Sequence, residues 1–151
     1  MRNVLIGVLL AFVGAPAHGA FEDLGAGARA PGMGDAFVAV ADDVYAVHYN
    51  PAGLAQLGRP EIGASYTRLL LGLTDSSDVS DMFFGYAHPL PKAKGTVATS
   101  WEQLGLGNGL FTEQAFSLAY GRGALPLGPG RLSAGLAGRW LRRGFGGFPE
   151  A

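Results

Sequence analysis

The chain has 151 residues, a formal net charge of −1 and no cysteine. The lack of cysteine excludes disulfides, thiolate metal sites and cysteine catalysis, and the nearly neutral charge argues against nucleic-acid binding. Charged residues make up 15% of the chain, well below the roughly 25% of ordinary soluble domains. An apolar content of 48% argues against disorder.

The first twenty residues have the pattern of a secretory signal peptide. Arg2 supplies the positive charge, and the apolar run over 4–13 has the ~7–15 residues of a signal-peptide core. Ala15 and Ala17 place small residues at the −3 and −1 positions of a cleavage site. We therefore assign 1–20 to a leader that is removed on export. The alternative, a membrane-spanning helix, would need about 20 apolar residues.

Residues 21–59 are rich in glycine and predict short elements in a compact, plug-like unit. The alternation over 36–41 predicts a short strand. Asp42 and Asp43 then predict the start of a helix over 44–48, because a carboxylate can accept from the free N–H groups of a first turn.

A second short helix is predicted directly after the first. Asn50 serves as its N-cap, and Pro51 stands at the first helical position, where a missing N–H costs nothing. The helix continues to Gln56 or Leu57, and Gly58 is expected to end it in the left-handed conformation.

Residues 60–151 alternate with period two and predict about five strands. Each strand has one face of bulky apolar residues and one face of small or polar residues; Phe116, Leu118 and Tyr120, for example, oppose Ser117 and Ala119. Loops are predicted over 75–81 and 104–109, and over 123–130 a turn that no central strand could cross.

This alternation favours a membrane β-barrel, whose strands have ~9–11 residues and need only one apolar face. The alternative is a soluble β-sandwich, but its outward face would need more charge than the chain carries. Five strands are fewer than the ~8 of the smallest bacterial barrel, so the chain is expected to be the N-terminal part of a longer protein. The predicted fold class is all-β, the first part of a transmembrane antiparallel β-barrel.

No pattern in the chain predicts an enzyme. Gly32-x-Gly34 and the glycines at 105–109 lack the strand, long helix and Lys-Ser/Thr of a phosphate loop. Asp42 and Asp43 could bind Ca²⁺, but no further carboxylates follow at ligand spacing, so helix capping is the stronger interpretation. The three histidines are scattered. We therefore assign no catalytic residue, no metal and no cofactor.

The segment from Gly27 to Leu54 resembles the N-terminal signature of the PorV/PorQ family, which is related to the FadL-type long-chain fatty acid transporter barrels. The similar pieces are Gly27-Ala28-Arg29, Gly32-Met33-Gly34, Ala36-Phe37-Val38-Ala39, Ala41-Asp42-Asp43 and Tyr49-Asn50-Pro51-Ala52-Gly53-Leu54.

The resemblance implies a fourteen-strand type of barrel, with residues 21–59 inside it as a short helical hatch and 60–151 as the first strands. The structural residues of this hatch motif are Gly32, Gly34, Asp42, Asp43, Asn50, Pro51, Ala52 and Gly53.

It also implies a non-enzymatic protein of the bacterial outer membrane, in contact with its lipid. Two roles are open: a PorV-like role in type IX secretion, with secreted proteins or secretion-system components as partners, and FadL-like passive uptake of hydrophobic small molecules. A soluble periplasmic β-sheet binding protein is the third alternative.

Overall fold

An antiparallel sheet of five strands, in the order β1-β2-β3-β4-β5, dominates the chain. A computed structural model describes residues 24–69, 78–106, 109–127 and 130–146, so the predicted leader lies outside the described residues. The strands are β1 (Glu61–Leu69), β2 (Val79–Pro89), β3 (Thr96–Leu106), β4 (Phe111–Leu127) and β5 (Gly130–Phe145). The prediction of an antiparallel, mostly β fold with five strands is thus confirmed, and β1 and β5 form the two edges of this sheet.

The strands extend further than the sequence predicts. Val79 pairs with both Leu69 and Leu106, so strands enter the predicted loops 75–81 and 104–109. The prediction that 123–130 is a turn is also wrong, because β4 continues to Leu127 and pairs with β5. Proline is tolerated there because β4 pairs with β3 only as far as Gly121, and edge strands accept proline.

Residues 24–58, here called the helical segment, hold four short helices. They are the α-helical turns Arg29–Gly32 and Ala46–Tyr49 and the 3₁₀ helices Ala36–Ala39 and Pro51–Gln56. A fifth short helix, the 3₁₀ helix Pro91–Ala93, connects β2 to β3.

The strand predicted over 36–41 is wrong, since a 3₁₀ helix occupies 36–39. The carbonyl of Phe37 accepts from the N–H groups of Val40 and Ala41, at 2.9 and 2.8 Å. The ring of Phe37 is buried at 1% exposure and meets Tyr49 edge to face. Local alternation alone does not make a strand, because a strand needs a neighbour to bond its backbone.

The second predicted helix is present, with a different end. Asn50 is the N-cap of the 3₁₀ helix Pro51–Gln56, and its side chain accepts from the Ala52 N–H at 3.2 Å. Leu57 ends the helix in an extended conformation (φ −68°, ψ 123°), and Gly58 does not have a positive φ. The left-handed end predicted at Gly58 is therefore wrong, since the chain turns straight into β1.

The sheet has two unlike faces. The helical segment packs on one face, here called the covered face, and the other is called the open face. On β4, Ser117 and Ala119 are buried on the covered face at 3% and 2% exposure. Leu118, between them, is 67% exposed on the open face. The division into a small-residue face and a bulky apolar face follows the predicted alternation.

The hydrophobic core lies between the helical segment and the covered face. Its larger members are Phe37, Val44, Val47, Leu54, Leu57 and Phe83, and alanines of the helical segment and of β2, β3 and β4 complete it. Among the described residues, no helix has the length and apolar character needed to cross a membrane. The helical segment is thus held by one apolar layer of modest size.

Leu54→Ala should loosen the helical segment. Leu54 is fully buried, and removing a buried leucine side chain typically costs about 2–5 kcal/mol. Native-state hydrogen exchange of amides 44–57 in the full-length protein measures this loss. Val38→Ala is the matched control, because Val38 belongs to the same segment but is 48% exposed. Equal exchange in both variants would show that the segment does not depend on this core.

Candidate functional site

The helical segment comes closest to the sheet where its backbone lies directly against two glycines. A Cβ built on Gly121 would lie 2.2 Å from the carbonyl oxygen of Pro51. A Cβ built on Gly135 would lie 2.3 Å from the amide nitrogen of Ala52. Gly121 and Gly135 are direct partners on β4 and β5, so together they form a shallow seat for the start of the 3₁₀ helix. We call this pair the glycine seat.

A second close contact joins the two halves of the helical segment. A Cβ on Gly53 would lie 2.0 Å from the carbonyl oxygen of Ala41. The Asn50 amide, besides capping its own helix, donates to the carbonyl of Val38 at 3.0 Å. Gln56 donates to the carbonyl of Val40 at 2.9 Å. Residues 50–56 therefore bind the sheet on one side and residues 38–41 on the other.

Asp42 and Asp43 share one partner, Arg29, and Asp43 has a second. The Arg29 guanidinium donates to Asp42 at 2.6 Å and to Asp43 at 3.1 Å, and this hydrogen bond holds the pKa of the Asp42 carboxyl below its usual value. Asp43 also accepts from the Tyr45 N–H at 2.9 Å, just before the helix that begins at Ala46. These contacts close the turn before the helix, and ion pairs as exposed as this one add little to stability.

A polar cluster joins the helical segment to the middle of the sheet. His48 Nδ1 lies 3.0 Å from a carboxylate oxygen of Glu102 on β3 and 3.0 Å from a guanidinium nitrogen of Arg139 on β5. Ser100 donates to Glu102 at 3.1 Å, and Arg139 donates to Ser117 at 3.3 Å. The side chains of His48 and Glu102 are 5% and 15% exposed, so these contacts are made away from bulk water.

His48 Nδ1 can form a hydrogen bond within the cluster in either tautomer of the ring. A guanidinium only donates and a carboxylate only accepts, so Nδ1 bonds one of the two at a time. When it carries hydrogen it donates to Glu102, and when it does not it accepts from Arg139. Arg139 and Glu102 also lie 3.6 Å apart. The cluster is a charge-balanced bridge from one helical turn to two strands.

A small cleft of about 70 Å³ opens beside this cluster, at the edge of the helical segment. Leu24 and Gly25 form one side of it, and side chains of the sheet form the other. The ionisable residues that line it are His48, Asp81, Glu102, Glu113 and Arg139. Glu113 is bonded by Arg143. In the described part of the chain, no group of three or more histidine, aspartate or glutamate side chains is arranged to hold a metal ion.

The predicted motif residues fall into three groups in the structure. Asn50, Pro51, Ala52 and Gly53 lie together at the contact with the glycine seat and with Ala41. Gly32 and Gly34 lie at the surface, with nothing within 4 Å of an added Cβ. Gly34 has a φ of +60°, so its role is conformational. Asp42 and Asp43 meet at Arg29.

Sequence reasoning missed the glycine seat and the polar cluster. One signal was present: Glu102 is the one charged residue of β3, on a strand face that also holds the small residues Ala98 and Ser100. A charge that alternation places on a covered face needs a partner. Its partner His48 is 54 positions away, and no local pattern connects them.

The chain matches no model of a protein family, no curated protein and no solved structure. The site is therefore interpreted from its own geometry.

Gly121→Ala and Gly135→Ala should each displace the helical segment. The added methyl would overlap backbone atoms of Pro51 and Ala52, and overpacking of this kind costs typically about 1–3 kcal/mol. Limited proteolysis between 50 and 58 in the full-length protein should become faster. Gly138→Ala on β5 is the control, because nothing lies within 4 Å of its Cβ. Protection unchanged in all three variants would refute the seat.

Glu102→Gln should weaken the bridge, because a hydrogen bond to a charged group contributes about 1.5–3 kcal/mol. Glu61→Gln is the control on the same sheet. In a double-mutant cycle with Arg139→Gln, residues that share a network give a coupling energy of about 0.5–3 kcal/mol. Exchange of amides 46–50 provides the free energies. Strict additivity would show that the two residues act independently.

Proposed function

We propose that the chain forms a section of the wall of a bacterial outer-membrane β-barrel, of the PorV/PorQ type, with the helical segment as a hatch on its inner side. The observation that carries this proposal is the contrast between the two faces of one sheet. The covered face is small, partly charged and occupied by the chain's own helical segment. The open face is apolar and exposed.

The open face has the character of a surface that meets lipid. Phe84, Trp101, Phe116 and Trp140 stand in one row across β2 to β5. Phe84, Phe116 and Trp140 are 52%, 47% and 68% exposed. Contiguous apolar surface of this kind is rare on soluble monomers, and aromatic rows are typical of the interfacial girdles of membrane barrels.

The polar limits of the apolar stretch agree with the thickness of a membrane. On β4, Gln114 and Arg122 bound the outward residues Phe116, Leu118 and Tyr120. The two limits are eight positions apart, or about 27 Å along a strand at ~3.4 Å per residue. A barrel strand is tilted by about 35–45°, so this length spans roughly 19–22 Å across a membrane. Ser80 and His88 bound the stretch on β2 at the same separation. Outer-membrane barrels have an apolar band about 25 Å tall.

A soluble periplasmic binding protein is the weaker alternative. Such a sheet would expose Ile62, Leu118, Leu136 and Trp140, each about 70% exposed in this structure, to water. Burying such side chains is worth about 1.5–3 kcal/mol each, so this face would need another cover. In the proposal, lipid of the outer membrane provides that cover. The predicted leader, which is cleaved on export, would direct the chain to this membrane.

Within the barrel proposal, the charges of the covered face favour a secretion-linked role over uptake of hydrophobic molecules. The cleft at the edge of the helical segment is lined by Asp81, Glu102, Glu113 and Arg139. An aliphatic chain would desolvate these groups without offering hydrogen bonds. Secreted proteins or secretion-system components, which carry polar groups, suit this surface better. The proposed role involves no catalysis and no cofactor.

The membrane proposal predicts a depth-dependent cost of charge on the open face. Leu118→Arg should reduce the stability of the assembled full-length barrel by about 2–4 kcal/mol near the midplane. Thr112→Arg, on the same face of β4 but beyond Gln114, should cost about 0–1 kcal/mol. Reversible folding into vesicles provides both values. A cost within ±0.5 kcal/mol at Leu118, as at an ordinary exposed site, would contradict the proposal.

The two roles are separated by comparing the full-length protein with Gly121→Ala, which should loosen the hatch. A secretion-linked protein should co-purify with secreted proteins, and the variant should change this association. A FadL-like protein should instead take up a labelled fatty acid, with faster uptake in the variant. Fatty-acid uptake without any co-purified secreted protein would overturn the proposed role.

A further inference from the structure

Four basic residues lie at one end of the sheet, at or beyond the polar limit that Arg122 sets on β4. They are Arg59, which precedes β1; Lys92 and Lys94, in the turn between β2 and β3; and Arg122 on β4. All four are exposed, and we call them the basic rim. The register places them at one end, because Glu61 pairs with Ala87 near the end of β2, and Thr96 pairs with Gly121.

The basic rim differs from the other cations in its lack of acidic partners. Arg29, Arg68, Arg139 and Arg143 form ion pairs with aspartate or glutamate. None of the four rim residues forms an ion pair with another residue among those the structure describes. On the described strands at this end, Glu61 is the one acidic residue. The rim therefore carries a surplus of positive charge directed to solvent.

The rim also lies next to one polar limit of the apolar stretch, the one formed by His88 on β2 and Arg122 on β4. On the open face, Tyr86 and His88 are joined through the Tyr86 hydroxyl and His88 Nδ1 at 2.8 Å. The hydroxyl of Tyr120 donates to the carbonyl of Lys94, which ties the turn to β4. Tyrosine next to lysine and arginine is the arrangement found where an apolar surface passes into lipid headgroups.

We infer that the basic rim binds the headgroups of anionic phospholipids at the membrane surface. This inference rests on the proposed function, since it needs the open face in lipid. Lysine and arginine near a membrane surface attract anionic lipids, and the attraction falls off within a Debye length. The spread of four cations across one end of the sheet, from β1 to β4, fits several headgroups of a leaflet. A single soluble phosphate would contact only one or two of them.

The test uses the full-length protein reconstituted in phosphatidylcholine vesicles that contain one third phosphatidylglycerol. The 151 residues contain no cysteine, so Pro91→Cys in the exposed turn, with any cysteine elsewhere in the protein replaced by serine, accepts a single fluorescent donor. Energy transfer to headgroup-labelled phosphatidylglycerol, compared with headgroup-labelled phosphatidylcholine, reports which lipid surrounds the rim. We expect an enrichment of the anionic lipid of about fivefold, lost at high salt.

Replacing all four rim residues by glutamine should abolish the enrichment. Arg142→Gln is the matched control, because Arg142 is an exposed arginine of β5 near the opposite end of the sheet, and this variant should keep the enrichment. Equal transfer to both lipids in the unaltered protein would overturn the inference, as would enrichment that survives in the fourfold variant. Inorganic phosphate at 10-fold excess over lipid should leave the enrichment unchanged; its loss would show a site for free phosphate instead.

Tryptophan fluorescence separates this inference from the proposed function. Trp101 and Trp140 lie in the aromatic row of the open face, so brominated acyl chains should quench them in phosphatidylcholine alone. Quenching without headgroup enrichment would overturn the basic rim and leave the membrane proposal standing. Enrichment without quenching would overturn the membrane proposal, with the charged rim attached only to the surface.

Discussion

The contact of the Pro51–Gln56 helix with Gly121 and Gly135 is the constraint on which the rest of the structure depends. Backbone meets backbone there at distances that no side chain larger than hydrogen allows. The contact fixes the position of the helix over β4 and β5, and Gly53 then fixes residues 38–41 on top of it. His48 is brought to Glu102 and Arg139 by the same arrangement. A change in the glycine seat would therefore reach both the core and the polar cluster.

The covered face explains why the sheet can leave the bulky side chains of its open face without a covering element. In a soluble sheet the large residues turn inward to form the core, and small or charged ones turn outward. Here the sheet contributes mainly alanines and Phe83 to the core, and the helical segment contributes most of the larger residues, such as Phe37 and Leu54. The sheet therefore keeps Leu118 and Trp140 on its other side. This inversion, rather than overall hydrophobicity, is the physical argument for a lipid-facing wall.

Alternation was sufficient to predict the strands and their faces, because a period of two directly assigns each residue to a side of the sheet. It failed at strand ends, since pairing of Val79 with Leu69 and Leu106 depends on neighbours distant in sequence. It also failed over 36–41, where alternation occurs without a neighbouring strand. The Asn50-Pro51 start was predictable because capping is local. The bridge of His48 to Arg139, which are 91 positions apart, depends on the whole fold.

The central claim is that the open face of the sheet lies in lipid, and a depth profile along β4 tests it most directly. Single nitroxides at positions 114, 116, 118, 120 and 122 of the full-length protein in bilayers would be compared for collision with oxygen and with a water-soluble nickel complex. The account predicts that oxygen access is greatest at 118 and falls towards 114 and 122, with nickel access following the opposite course. Equal nickel access at all five positions would contradict it.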